Sequence, residues 1–511
     1  MRNSIAFIFI LTASLTLVGC EVGPDFHSPA PPKTTSYTKL PLPKITASVP
    51  EAGNPGKAQY LKLGQDIPAQ WWHLFHSPAI NALIRTGLAN SPTLASALAT
   101  LHQSQQLLRA TIGNLLFPSI DLEALAERTR TSSLGFGVSS GSSALGNAAN
   151  TNTVGGNTPS VFSLYYTAAT VSYTLDIWGG LRRQVEAMRA QVDLARYQLI
   201  AAYLSLTSNI VTTAITVATL QEEIHATREL IKETAQQLQI VKEQLKLGGA
   251  SAEDVLIQET QLSQTEALLP PLQVQLAQAR HALAVLVGQL PSQSHLPVLQ
   301  LNLVNLPAKI PISVPSKLIN HRPDVQQAEA LLHEASANIG VATANLLPQI
   351  NLSAGYGYLS TSLNTLFTPT NNLWSLAADL LQPIFHGTAL IAQRRAAIDA
   401  FEAACQQYQE TVLTAFQNVA DALRALEIDA REYKAQQKAE ISARSTYIVT
   451  KNRFKLGGKN YLDVLIAEQA YQKTRINRIK AEGQRFNDTA ALFQALGGGW
   501  WNVKEYYGKQ K

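Results

Sequence analysis

Two stretches of the chain keep a helical spacing of apolar positions, with almost no Gly or Pro, over about 67 and 68 residues: Leu181 to Leu247 and Ala389 to Leu456. At 1.5 Å per residue, each predicts a helix roughly 100 Å long. Shorter helical runs cover Ala79 to Gly113, Ala252 to about Val287, His321 to Asn345 and Tyr461 to Leu496. The second of these tolerates a kink at Pro270-Pro271. After Pro118 the period changes to two: Ile120, Leu122, Ala124 and Ala126 alternate with Asp121, Glu123 and Leu125. The same alternation is clearest where Ile350, Leu352, Ala354, Tyr356 and Tyr358 interleave with Asn351, Ser353, Gly355 and Gly357. Four strands are predicted, at about 116–130, 161–175, 349–361 and 373–385. A Gly/Ser/Asn-rich stretch at 132–160 has no apolar period and reads as a mobile loop.

The pattern occurs twice. Lys246-Leu247-Gly248-Gly249 followed by Asp254-Val255-Leu256-Ile257 returns as Lys455-Leu456-Gly457-Gly458 followed by Asp463-Val464-Leu465-Ile466. Phe117-Pro118-Ser119 returns as Leu347-Pro348-Gln349, Trp178-Gly179-Gly180 as Phe385-His386-Gly387, and Pro92 and His102 as Pro323 and His333. The offset stays between 207 and 231 residues. A helix-strand-strand-helix-helix unit is therefore duplicated, as 79–287 and 321–496. A Pro-rich linker, 288–320, joins the copies. Residues 20–78 form a Pro- and Thr-rich extended leader, and 497–511 a polar tail. Trp71 and Trp72 close the leader and read as packing anchors.

Residues 1–19 are an address rather than structure: a positive start at Arg2, then an apolar run from Ile5 to Leu17 too short to span a bilayer. The run ends in Leu17-Val18-Gly19-Cys20, a lipobox in which the Cys20 thiol takes diacylglycerol and its amine a further acyl chain. Acyl chains add roughly 0.8 kcal/mol per buried methylene, so several together anchor firmly. Glu21 rather than Asp follows the cysteine, which by known sorting rules directs such a chain to the outer membrane. The other cysteine, Cys405, sits in a helical pattern, so an acylated Cys20 leaves no intramolecular disulfide.

The net charge of +5 is mild for 511 residues and not clustered in a basic stripe, which argues against nucleic-acid binding. The ten histidines show no HExxH and no metal-ligand spacing. There is no CxxC, no phosphate-binding loop and no nucleophile elbow, so an enzyme is not expected and no cofactor beyond the acyl chains is implied. After the signal no run of 18 uninterrupted apolar residues occurs. Any membrane crossing would then use the strands, which are long enough when tilted. Tyr165, Tyr166, Tyr173, Trp178, Tyr356, Tyr358, Trp374 and Phe385 lie near their ends, as an interfacial girdle requires. Four strands cannot close a barrel and an open edge is forbidden in lipid, so at least two copies must pool their strands. The competing reading is a tethered coiled-coil scaffold whose strands form a small soluble sheet.

Cys20-Glu21-Val22-Gly23-Pro24-Asp25-Phe26, Trp71-Trp72, the Gly-Gly turns with their following Asp-Val-Leu, and Ala415-Phe416-Gln417-Asn418-Val419-Ala420-Asp421-Ala422-Leu423 together resemble the TolC-like outer-membrane factors, in their lipoprotein, NodT-type branch. The resemblance covers essentially the whole mature chain. It implies a mixed α/β membrane protein and a homotrimer, with a twelve-stranded β-barrel in the outer membrane of a Gram-negative bacterium. The barrel would continue into a periplasmic α-helical barrel. A periplasmic adaptor would dock this duct on an inner-membrane pump, exporting small molecules; the family also includes ducts for protein secretion.

The resemblance also implies site residues. Gly248, Gly249, Gly457 and Gly458 would be the turns met by the adaptor. Leu462, Asp463, Ile466 and Gln469 would line the pore constriction. Ile466 stands where some relatives carry Asp, which shifts weight from an acidic ring toward apolar rings that narrow and dewet the pore. Asp254 in the first hairpin, with Lys455 and Lys459 in the second, match salt bridges that lock the closed tip in some relatives. Asp421, Arg424 and Glu427, on the second long helix, face either a lumen or solvent.

Overall fold

The computed structural model describes residues 21–130 and 161–502. The signal segment, Cys20, the 132–160 stretch and most of the C-terminal tail lie outside the described residues. Nine α-helices and six strands are described. In chain order they are β1 (Tyr60–Leu63), α1 (Pro78–Asn90), α2 (Pro92–Leu116), β2 (Ser119–Arg130), β3 (Val161–Leu175), α3 (Gly180–Lys246), α4 (Ala252–Glu266) and α5 (Leu269–Leu286). Then come β4 (Lys309–Ile312), α6 (Pro315–His321), α7 (Pro323–Ala344), β5 (Gln349–Ser360), β6 (Asn372–Leu381), α8 (Ala389–Lys455) and α9 (Tyr461–Ala495). The duplication holds element by element: α1, α2, β2, β3, α3 and α4–α5 answer to α6, α7, β5, β6, α8 and α9.

Three expected helices are broken where a proline restarts them. Ala79–Gly113 divides at Ser91-Pro92, where the Ser91 hydroxyl accepts the Leu94 amide at 3.4 Å. His321–Asn345 divides at the equivalent Arg322-Pro323, and Ala252–Val287 ends at Glu266 and restarts at Leu269 with Pro270 and Pro271 in its first turn. Pro at those positions forfeits only an amide that has no intrahelical acceptor anyway. β6 ends at Leu381, so Phe385 lies beyond the strand, as Trp178 lies beyond β3.

The chain divides into two compact units that cut across the repeats. The first holds the described residues up to Phe26 and those within Gln105–Ala190 and His333–Glu402. Its centre is an antiparallel sheet of order β2-β3-β5-β6. The register aligns Ile120, Val171, Ala354 and Leu376 across the sheet, then Leu122, Ala169, Tyr356 and Trp374. The interleaved rows are Ser119, Ser172, Ser353 and Ala377, then Asp121, Thr170, Gly355 and Ser375. One face is thus apolar and the other small and polar. Ile120, Leu122, Trp374, Leu376 and Leu380 of the apolar face are 68–80% exposed in the single chain. Tyr165, Tyr356, Tyr358 and Trp374 fall near one end of this face and Tyr173 near the other; Tyr166 points to the opposite face.

The same unit anchors the start of the leader. Arg183, 3% exposed, bonds Asp25 at 2.6 Å and Glu186 at 2.7 Å, lies 3.8 Å from Glu21, and donates to the Val22 carbonyl. His333 bonds Glu186 at 2.8 Å and stacks on Phe26. Burial raises the Glu186 carboxyl, but the Arg183 and His333 bonds outweigh it and hold the group below the usual carboxylate range.

The second unit holds His27–Ser104, Gln191–Leu332 and the described residues from Ala403. Its core gathers on α3, where Ile210, Val211, Ala214, Ile215, Val217 and Ala218 are at most 2% exposed. α3 is the one described helix with a stretch apolar enough, by length and composition, to cross a membrane, and these buried residues identify it as a core helix instead. The Trp pair packs as expected: Trp71 is 1% exposed, with the Phe493 ring 5.4 Å away. Two four-residue strands were not foreseen. β1 of the leader pairs in parallel with β4 of the linker, Tyr60 opposite Lys309. Arg485, 1% exposed, ties α9 to the leader through the carbonyls of Pro55 at 2.5 Å and Lys57 at 2.8 Å.

Candidate functional site

The two hairpin turns are one structure built twice. The helices end at Lys246 and Lys455, Leu247 and Leu456 cap them, and Gly248 and Gly457 follow at φ +77° and +73°. The Gly248 amide donates to Leu245 and the Gly249 amide to Gln244; the Gly457 amide donates to Phe454 and the Gly458 amide to Arg453. This is the Schellman arrangement, in which a left-handed glycine lets two amides return to orphan carbonyls. A Cβ at Gly248 or Gly457 would meet nothing within 4 Å, so backbone conformation rather than crowding selects glycine. The tips end in exposed Leu247 and Leu456, each 86% exposed.

Each returning helix is capped alike. The Ser251 hydroxyl accepts the Asp254 amide at 3.1 Å while Asp254 accepts the Ser251 amide at 2.8 Å, a reciprocal capping box. Asn460 accepts the Asp463 amide at 2.9 Å. Asp254 and Asp463 are repeat equivalents in equivalent cap positions. Asp463 adds an ion pair with Lys459 at 3.4 Å. Within one chain, therefore, Asp254 is engaged by its own cap and Lys459 by Asp463.

Four residues expected at a constriction lie at the start of α9. Leu462 is 53% and Ile466 56% exposed, and Gln469 continues the same outward face; Asp463 is half-buried beside it. The inward face packs Val464 and Ala467 against Tyr447 of α8. Tyr461 packs with Leu238, Val241 and Val255. The two hairpins part here: Leu465 is 6% exposed, whereas its equivalent Leu256 is 63% exposed.

The hairpins are joined by neutral hydrogen bonds that the sequence did not announce. The Tyr461 hydroxyl donates to Gln258, fully buried, whose amide donates to the Thr234 carbonyl at 3.2 Å. Gln469 donates to Gln261 at 2.6 Å. Burial keeps the Tyr461 phenol well above its ordinary range, so it remains a donor. Ion pairs brace the same helices: Lys242 with Glu259 at 2.8 Å, Arg475 with Glu229, and Arg478 with Glu440 at 2.6 Å.

Of the remaining candidates, Glu427 is buried between Arg424, at 2.6 Å, and Arg431. Asp421 lines an open recess of about 570 Å³ with Arg322, Asp324, Asn418 and Asp488. Cys405 is a free thiol of intermediate exposure. Among the described residues no group of three or more His, Cys, Asp or Glu is placed to hold a metal ion.

Comparison with known proteins accounts for this assembly of parts. The profile of the outer membrane efflux protein family matches residues 83–289 and 314–498. The toluene efflux pump outer membrane protein TtgC of Pseudomonas putida is 25% identical over 498 residues, 97% of this chain and 96% of that protein. The cation efflux system protein CusC of Escherichia coli is 27% identical over 493 residues, 95% of this chain and 97% of that one. The outer-membrane channel OprN shares the fold with a TM-score of 0.80 at 23% identity, over 94% of this chain and all of that chain. The residues matched by the family profile span both repeats, so this chain belongs to the outer membrane efflux protein family and is an outer-membrane efflux channel component.

Proposed function

We propose that three copies of this chain form a closed duct that carries small molecules through the outer membrane, opened at its periplasmic end by an adaptor coupled to an inner-membrane pump. The observation that carries it is the β2-β3-β5-β6 sheet, apolar on one face and polar on the other, with β2 and β6 as its outer strands. Lipid covers the apolar rows and water the polar ones. β2 and β6 run in opposite directions, so β6 of one copy meets β2 of the next antiparallel. Three copies supply twelve strands with no edge left in hydrocarbon. α2 buries only Leu101 within the single chain, leaving helix surface for neighbouring copies.

Acylated Cys20 would tether the leader to the membrane. The Gly248-Gly249 and Gly457-Gly458 tips are the adaptor surface in this reading. Leu462 and Ile466 form apolar rings at the narrowing, and Asp463 an acidic ring whose three carboxylates repel one another. In this reading Asp254 keeps its cap bonds and pairs in addition with Lys455 of a neighbouring copy at the closed tip. The named cargoes of the relatives, toluene and cations, favour small-molecule export over protein secretion.

Single-channel conductance of the purified protein in planar bilayers, with native mass spectrometry of the same sample, tests this. Trimers with small, cation-selective conductance are expected. Folded, inserted trimers that never conduct would leave the tethered-scaffold reading in place.

A further inference from the structure

Glu468 is one turn beyond Val464 on the inward face of α9, and it is 1% exposed. Neither carboxyl oxygen has a hydrogen-bond partner. The Gln472 amide nitrogen, one turn further along the same face, is also buried without an acceptor. An ionised carboxylate left this way is strongly disfavoured, which structures avoid by keeping the acid neutral. The surroundings offer little relief. From α8 come Tyr447 and Lys451, and the Lys451 ammonium is turned to the Tyr447 hydroxyl at 3.1 Å. From α3 comes Glu233, a second acid that opposes ionisation. On α9 itself Tyr461 faces Glu468, and Tyr471 reaches the cluster through Tyr447. Asp254 of α4 reaches it only through Tyr461.

We propose that Glu468 is a proton-operated latch: neutral while α9 is seated against α3 and α8, it ionises when water reaches it, and so favours the displacement of α9 that widens the passage at Leu462 and Ile466. This rests on the channel reading above and adds a regulator to it. Burial first, and Glu233 after it, push the seated carboxyl up to about 7, with Lys451 acting the other way. The seated form therefore binds the proton more tightly than the displaced form. Its advantage is full at low pH and falls as pH rises from the ordinary carboxylate range through about 7. The separation of the two affinities caps the shift in the seated-to-displaced ratio at about 300-fold for each copy.

The test uses the full-length trimer with Cys405→Ser and a spin label on Ile466→Cys. Distances between the labels of neighbouring copies would be measured at pH 5 and pH 8, with conductance recorded in parallel on chains lacking the label. The expected result is a wider, more populated long-distance component and higher open occupancy at pH 8, both absent in Glu468→Gln, which stays closed at either pH. Identical distances at both pH values, or the same widening in Glu468→Gln, would overturn the latch. A pH-dependent distance without any conduction would sink the channel reading while sustaining the latch.

Discussion

The Tyr461 hydroxyl, at the start of the last helix, is bonded to the Gln258 side chain of the first hairpin, 203 residues away. The pair joins the two repeats where each hairpin turns back, and Gln258 is fully buried. A neutral bond in that position is insensitive to salt, unlike the exposed ion pairs that a charged tip suggests.

Tyr461→Phe keeps the ring packed on Val241 and Val255 but leaves the Gln258 oxygen buried without its donor. Such a loss costs about 1–3 kcal/mol. The expected outcome is a higher open probability in planar bilayers, with the gain unchanged between low and high salt. A conductance increase that disappears at high salt would point instead to ionic locking.

Leu462→Ala with Ile466→Ala should enlarge single-channel conductance while leaving cation preference in place. Asp463→Ala should weaken that preference and change conductance less. The two effects separate because, in the proposed constriction, apolar rings control wetting and an acidic ring controls charge. Reversal potentials in asymmetric salt decide it: unaltered selectivity in Asp463→Ala would remove that carboxylate from the pore wall.

Gly483 of α9 faces Thr219 of α3, and a Cβ placed there would come within 2.3 Å of the Thr219 hydroxyl. Thr219 is itself held by a bond to the Ile215 carbonyl at 2.9 Å. Gly483→Ala should therefore destabilise the helix pair by about 1–3 kcal/mol, the usual cost of overpacking. Gly483→Ala combined with Thr219→Ala should recover most of it, read by thermal unfolding in detergent.

Arg183→Gln should loosen the leader clamp. The depressed Glu186 carboxyl contributes stability that is present above the ordinary carboxylate pKa and is lost as pH falls through its lowered folded value. Wild-type leader should resist limited proteolysis until strongly acid pH. The variant should be cut already near neutrality, where Glu186 keeps only its bond to His333 and Asp25 has lost the guanidinium.

Much of this architecture was readable from spacing alone. The long helices persist because their apolar period runs unbroken to the glycines, and the sheet's two faces follow from the alternation in the first half of β2 and in β5. The breaks at Ser91-Pro92 and Arg322-Pro323 were not legible, because good helical periodicity continues on both sides of each proline. β1 and β4 were missed because four residues cannot declare a period, and their pairing is a tertiary fact. Glu468 was missed for a different reason: a lone charge in a helical run reads as a solvent position. The available signal was register, since Tyr461, Val464, Glu468, Gln472, Ile479 and Phe486 recur at core spacing.

The unpaired outer strands of the four-stranded sheet have a genetic consequence. A ring in which every copy closes its neighbour's edge has no partial product, so a copy with a damaged β2 or β6 spoils the whole assembly that incorporates it. With defective and intact chains made in equal amounts, only about one ring in eight of a threefold assembly would be wholly intact. Lesions in these two strands should therefore be dominant over a wild-type allele, whereas lesions that merely unfold a chain before assembly should be recessive.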